Sequence, residues 1–279
     1  MIPTDPTSIM IRDNVKVLHI ENVFARAEIS LFGGHILSFI PKHDGRERLW
    51  VSQNAIFDGK KAIRGGIPIC WPWFGDHASN SDVAAHGYVR TQKWEILNSK
   101  EMDTGTSITL KPTTSAGDGF EGDAQLTLTV HVGKQLNIQL RTTNLSHTAL
   151  TYNCALHSYF AVSNINQCEL LGLSGQYSDK TCGYQMFDTP QPYRFTQETD
   201  RVHNQQPSTL TIIDEQIKSD ILSSGHDSIV VWNPWQEKSI SMADMADDAY
   251  LTMLCVETAV TKGQEIAPKT THILEQIIT

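Results

Sequence analysis

Apolar and polar side chains alternate with a period of two along much of this 279-residue chain, and that alternation restricts the fold more than any other feature. Successive side chains of an extended strand point to opposite faces, so a period of two marks a strand with one buried face. In "AQLTLTVHVGKQLNIQLRTTN" the residues Leu126, Leu128, Val130 and Val132 alternate with Gln125, Thr127, Thr129 and His131. The pattern resumes after Gly133-Lys134 with Leu136, Ile138 and Leu140, which predicts a two-residue turn and an antiparallel partner. His131 falls on the polar face, as an exposed strand residue with no chemical role. Shorter runs of the same kind are "VKVLHI", "FARAEISLF", "GHILSFI", "TSITL", "ALTYNCALHSYF", "CELLGL", "TLTII", "SIVVW", "KSISM", "LTMLCVE" and "HILEQII", most of them separated by turn residues. Helical periodicity is scarce, and a short helix is expected only in "STLTIIDEQIKSDIL". Many short strands punctuated by Gly, Pro, Asn and Asp imply an all-β, antiparallel sandwich or barrel. No repeat, low-complexity segment or linker-like run divides the chain, so a single domain over 1–279 is expected.

A chain of this length buries a large core without disulfides or metals. Its net charge of −9 offers no overall field for nucleic acid or an anionic membrane, and an anionic substrate would need local cations. No run approaches the ~20 apolar residues of a membrane helix. The five cysteines, Cys70, Cys154, Cys168, Cys182 and Cys255, form no C-x-x-C and no Cys/His cluster with zinc spacing, so free thiols are expected. The opening "MIPTDPTSIMIRDNVKV" has no basic region followed by an apolar run, so no leader is expected and the reducing cytoplasm is the expected location.

One stretch resists a purely structural account. "AIRGGIPICWPWFGDH" places Arg64 among residues that are mostly small, apolar or aromatic, as in the wall of a pocket. In "ALTYNCALHSYF" Leu150, Tyr152, Cys154 and Leu156 share one parity, while Thr151, Asn153 and His157 share the other. His157 is thus a histidine on a solvated sheet face, or one that meets a sugar. Glu257 closes the uncharged run Ala249 to Val256, either as a carboxylate at an exposed strand end or as a buried one. Burial would raise its pKa towards neutrality and make it a usable general base. "VAAHGYVR" offers His86 as a turn residue close to a ligand, or merely a turn residue, and Arg90 as a ligand or a surface cation. Asp200 beside Arg201 in "ETDRVH" reads as a local ion pair on a loop. "VVWNPW" and "CWPWF" supply aromatic surface of the kind that stacks on sugar rings, although tryptophan is equally a core residue. The acidic "MADMADDAY" lacks the central glycine and closing glutamate of a calcium loop and reads as a solvated turn. G-x-S-x-G, H-E-x-x-H and a phosphate-cradling glycine loop are all missing. What remains suits acid–base chemistry on a carbohydrate, with no metal or cofactor called for.

"AIRGGIPICWPWFG", "AHGYVR", "ALHSYF", "TDRV", "VVWNPW", "SMADMADDAY" and "LCVETA" occur in the order found in hexose-6-phosphate mutarotases, the glucose-6-phosphate 1-epimerase branch of the aldose 1-epimerase superfamily. The chain resembles that family from about Phe32 to Ala259. The resemblance implies a galactose mutarotase-like antiparallel β-supersandwich with its site on the concave face of the larger sheet. It implies His157 as general acid, Glu257 as general base, Asp200 as the carboxylate gripping hydroxyls and His86 as the second, orienting histidine. It also implies Arg64 and Arg90 as cations around a 6-phosphate, and a monomer whose partner is a small hexose phosphate. A histidine at position 203 departs from the aromatic or apolar residue expected there. The rivals are a mutarotase for unphosphorylated aldoses and an idle sugar-binding protein on the same frame. A glycosidase is disfavoured, because only one well-placed acid–base carboxylate is visible.

Overall fold

In the computed structural model, residues 6–279 apart from residue 216 are described. The first five residues of the opening stretch, in which no leader is expected, lie outside them. Two eight-stranded antiparallel sheets dominate, with a four-stranded sheet beside them. One large sheet runs in the order Gln185–Asp188, Gln176–Asp179, Thr199–His203, Ser228–Asn233, Met253–Ile266, Leu150–Leu156, Ile69–Cys70, with Tyr159–Ala161 also paired to Met253–Ile266. The other runs Cys168–Leu171, Thr209–Asp214, Ile217–Ser224, Thr271–Ile278, Leu136–Asn144, Ala124–Val132, Gly105–Pro112, Trp94–Met102. Of the antiparallel sandwich and barrel that the alternation allowed, the sandwich implied by the family resemblance is present.

The parity of each strand decides which face it buries. Leu254, Val256 and Val260 of Met253–Ile266, with Val231 and Leu156 from its neighbours, share one apolar core with Leu128, Ile138 and Leu274 of the second sheet. The odd-numbered residues of the same strand, Cys255, Glu257 and Ala259, point away from that core. The first sheet thus keeps a second face for other work, and the candidate residues stand on it.

Three local expectations are corrected. The Gln125–Leu140 hairpin forms with the expected parity, but Val132 pairs with Leu136, so the turn holds three residues, Gly133 to Gln135. The stretch expected to hold a helix is instead a hairpin, Thr209–Asp214 against Ile217–Ser224, with Asp214 opposite Ile217. There Leu210 and Ile212 are buried at a spacing of two, and the strand period prevails over the helical propensity of "DEQIK". "KSISM", expected as a strand, ends the α-helix Trp235–Ser241. Its Ser239 is buried and its Ile240 exposed, the reverse of what a strand would place against a core. All five cysteines are free thiols, with only Cys182 exposed.

Candidate active site

His157 and Glu257 meet because of register. Leu156 pairs with Thr258 and Tyr159 pairs with Cys255, so the same antiparallel register sets position 157 opposite position 257. Directly opposed residues on one face carry side chains within about 5 Å of each other at the Cβ atoms. His157 Nδ1 lies 3.4 Å from Glu257 Oε1, with the glutamate side chain 1 % exposed and the histidine 12 %. Of the two sequence alternatives for Glu257, the buried one holds. Burial pushes the Glu257 carboxyl well above the usual range, opposed by the charge of Lys180 and reinforced by that of Asp200. Burial likewise pushes His157 well below its usual value, helped by His86, Arg90 and Arg64. Neither His157 Nδ1 nor Glu257 Oε2 has a hydrogen-bond partner.

The neighbouring strands extend this face. Cys255 pairs with Trp232, which pairs with Asp200, so Asp200 stands two strands from the glutamate's own strand. Strands lie about 4.8 Å apart, which puts roughly 10 Å between Asp200 and that strand. Asp200 does not pair with Arg201, as the plain sequence reading had it. Alternation sends the two side chains to opposite faces. Lys180 Nζ lies 3.3 Å from Asp200 Oδ1, while Arg201 turns to Asp179 at 3.4 Å. Burial raises the Asp200 carboxyl, with Lys180 working against it. His203, the departure from the family pattern, is buried on the other face, where its ring meets the Tyr193 hydroxyl at 3.0 Å.

The arginine-bearing stretch is tied down on several sides. Gly66 N–H donates to the Trp50 carbonyl, Ile67 N–H to that of Ile36, Ser52 N–H to that of Arg64, and Tyr159 N–H to that of Gly66. Gly65 and Gly66 have φ of +104° and +62°, and a Cβ on Gly66 would sit on the Ile36 carbonyl oxygen. The glycine pair therefore allows the close backbone approach that mounts Arg64 rigidly. Its guanidinium donates through Nη1 to the Tyr159 hydroxyl at 3.1 Å and through Nε to Asp244 Oδ2 at 3.1 Å. Tyr159 in turn stacks on His157, with ring centroids 4.9 Å apart and planes 9° from parallel. Arg64 is thus contiguous with the histidine–glutamate pair through one aromatic ring.

His86 reaches the pair from the other side. Its φ is +66°, its N–H donates to the Gly75 carbonyl at 2.7 Å, and its Nδ1 accepts from Gly75 N–H at 3.2 Å. That acceptance places the ring proton on Nε2, leaving a donor for a ligand. Burial pushes its pKa down to about 3, with Arg90, Lys180 and Arg64 adding to the effect. The His86 and His157 ring centroids lie 5.7 Å apart. Arg90 stands behind this turn, its Nη2 donating to the Ala85 carbonyl at 2.8 Å.

Lys180, Cys255 and Asp244 belong to this cluster although the sequence did not single them out, and Tyr159, which the sequence offers only as a neighbour of His157, belongs to it as well. "MADMADDAY" is not merely a solvated turn, since Asp244 holds Arg64 and accepts, through its carbonyl, a hydrogen bond from Ser52 Oγ. Of the tryptophans read as stacking surface, Trp71 is fully buried in the main core, and Trp73 is nearly so. Trp232 does face the pair, its ring 6.2 Å from His157. A groove of about 840 Å³, lined by Val15, Phe32, Trp94 and Ile96 with Asp58, Lys93 and Glu95 among its charged residues, lies elsewhere and includes neither His157 nor Glu257.

The sequence profile described as aldose 1-epimerase matches residues 16–278. A protein of Escherichia coli, provisionally named a glucose-6-phosphate 1-epimerase, is 34 % identical over 273 residues, covering 95 % of this chain and 90 % of its own. A Salmonella typhimurium crystal structure, provisionally named a mutarotase, superposes with a TM-score of 0.90 at 31 % identity, covering 99 % of this chain and 93 % of that one. A galactose mutarotase-like protein from Lactobacillus casei shares the fold at a TM-score of 0.72 and 15 % identity, over 94 % of this chain and 99 % of its own. No helix among the described residues is long and apolar enough to cross a membrane. A profile match over nearly the whole chain, relatives above 30 % identity along most of their length and a shared sandwich together place this chain in the aldose 1-epimerase family, as a sugar isomerase.

Proposed function

We propose that this protein interconverts the α and β anomers of a hexose 6-phosphate, with glucose 6-phosphate the expected substrate, by acid–base ring opening between His157 and Glu257. The observation that carries the mechanism is the buried pair 3.4 Å apart on one face of the sheet. The two oxygens on an anomeric carbon are closer together than that, so each group can hydrogen-bond one of them. Glu257 takes the proton of the C1 hydroxyl while His157 protonates the ring oxygen. The C1–O5 bond breaks, the aldehyde rotates about C1–C2, and reclosure with both protons returned gives the other anomer. Asp200 and His86 grip hydroxyls. Arg64 meets the phosphate, and the charge of Arg90 behind the His86 turn adds to the local positive field. Support for the 6-phosphate comes from a rigidly held guanidinium beside the pair in a chain of net charge −9, and from the names carried by the relatives.

The proton bookkeeping explains why such a pair is buried. A closed sugar requires His157 charged and Glu257 ionised, and the open aldehyde leaves both neutral. Burial favours the neutral couple, so the dry site stabilises the ring-opened side of the exchange. Only the form holding one proton between the two groups reacts, and the pair titrates as a unit. Activity therefore falls at low pH, where the second proton binds, and at high pH, where the last one leaves.

Saturation-transfer NMR between the anomers of glucose 6-phosphate tests the proposal. Exchange is accelerated by the protein, and Glu257→Gln or His157→Asn each reduces it about 10²–10⁴-fold. Unchanged exchange in both variants overturns the assignment. Faster exchange of free glucose than of its 6-phosphate would transfer the activity to unphosphorylated aldoses.

A further inference from the structure

Cys255 has no part in the sugar chemistry, yet its thiol sits against the reacting pair. We propose that His157, Cys255 and Glu257 form a binding site for a thiophilic divalent cation such as Zn²⁺, which excludes the sugar when bound. A ring nitrogen of His157, Sγ of Cys255 and a carboxylate oxygen of Glu257 all lie within 4.8 Å of one another. Tetrahedral zinc, with bonds of about 2.0–2.3 Å, sets its ligands roughly 3.3–3.8 Å apart. The histidine–glutamate separation of 3.4 Å already meets this, and the sulfur, no more than 4.8 Å from either partner, needs to approach by about 1.3 Å at most.

Three further features favour a cation there. Cys255 and Glu257 are two residues apart on one strand and project from the same face, so the sheet turns both towards the same space. Glu257 Oε2 and His157 Nδ1 lack hydrogen-bond partners, although the glutamate side chain is 1 % exposed. A thiolate and a carboxylate cancel the charge of a divalent ion, and a neutral assembly suits a buried position better than an isolated ion does. The sulfur and nitrogen ligands select Zn²⁺, Co²⁺ or Cd²⁺, whereas Mg²⁺ and Ca²⁺ demand six or more oxygens. On binding, the Cys255 S–H bond breaks, its proton and any proton on Glu257 pass to solvent, and three lone pairs bond the metal. Nothing is oxidised or reduced. Three protein ligands leave a fourth position for water. Binding needs only this geometry, whereas the block rests on the acid–base reading of His157 and Glu257.

The test uses the full chain carrying Cys182→Ser, which removes the exposed thiol. Titration with Co²⁺ alone should give the near-ultraviolet thiolate-to-cobalt absorption at one equivalent, discharged by Zn²⁺ and unaffected by Mg²⁺. Cys255→Ala should lose that absorption and make the remaining anomer exchange insensitive to Zn²⁺. Cys255→Ser gives an independent measurement if the alanine variant misfolds, with affinity reduced beyond the roughly 10–100-fold typical of removing a residue that only supports a ligand. Zn²⁺ should halt anomer exchange in the parent protein, and a chelator should restore it. Absence of the sulfur band, or its persistence in Cys255→Ala, overturns the site. A saturated site with exchange undiminished would leave the cation site standing and overturn the block, together with the acid–base assignment of the pair.

Discussion

On the proposed reading, replacing Arg64 with alanine should separate recognition of a 6-phosphate from the chemistry at C1. A guanidinium carries five N–H donors. One is engaged on Asp244 and one on the Tyr159 hydroxyl, each at 3.1 Å. Three remain, enough for the paired contacts that arginine makes with phosphate. A hydrogen bond to a charged group contributes about 1.5–3 kcal/mol, so losing two amounts to roughly 3–6 kcal/mol. That corresponds to a fall of about 10²–10⁴-fold in kcat/KM for glucose 6-phosphate. Removing the guanidinium also frees Tyr159, whose ring stacks on His157, and this damage falls on every sugar alike. The ratio of the losses on glucose 6-phosphate and on glucose isolates the phosphate contribution. Arg64→Lys should lie between, since it keeps the charge and loses the planar fork. Saturation-transfer NMR on both sugars gives the rates, and thermal melting confirms that each variant is folded. Equal losses on the two sugars would refute the reasoning and leave the phosphate to other cations.

Glu257→Gln should become more stable relative to the parent as pH rises, because the buried carboxyl has a raised pKa. The unfolded glutamate releases its proton first, so the parent loses stability with rising pH from the ordinary carboxylate range up to the folded value. A melting-temperature difference that stays constant from pH 5 to 8 would contradict the burial argument. Gly66→Ala should destabilise the fold by about 2–5 kcal/mol, from φ of +62° and the collision with the Ile36 carbonyl, as denaturant titration would show. A thiol reagent should modify Cys182 rapidly and the other four cysteines only after denaturation. Rapid reaction of a second thiol in the native protein would contradict the burial of that cysteine.

Much of the sandwich was legible because a strand with one buried face must alternate, as Leu126 to Val132 and Leu136 to Leu140 do. The failures arose where local patterns were ambiguous. "DEQIK" has helical composition, yet Leu210 and Ile212 pack at strand spacing, and nothing within that window fixes the choice. "KSISM" alternates like a strand, yet it ends a helix in which Ser239 is buried and Ile240 exposed. At the site, Arg64 was conspicuous because a charge among rigid apolar residues calls for a reason. Lys180, Asp244 and Tyr159 were not, since each lies in an ordinary local setting and acquires its partner from a distant segment.

The sequence alone determined which side of the alternating strands is apolar, and therefore that the chain forms layered antiparallel sheets. It also showed no C-x-x-C and no short Cys/His cluster along the chain, which says nothing of a site assembled from distant strands. Only the tertiary structure decided that His157 faces Glu257, because their approach depends on the register between two strands a hundred positions apart. The same holds for the burial that shifts both proton affinities. Periodicity is local and can be read along the chain, whereas register and desolvation are set by every strand packed around the pair.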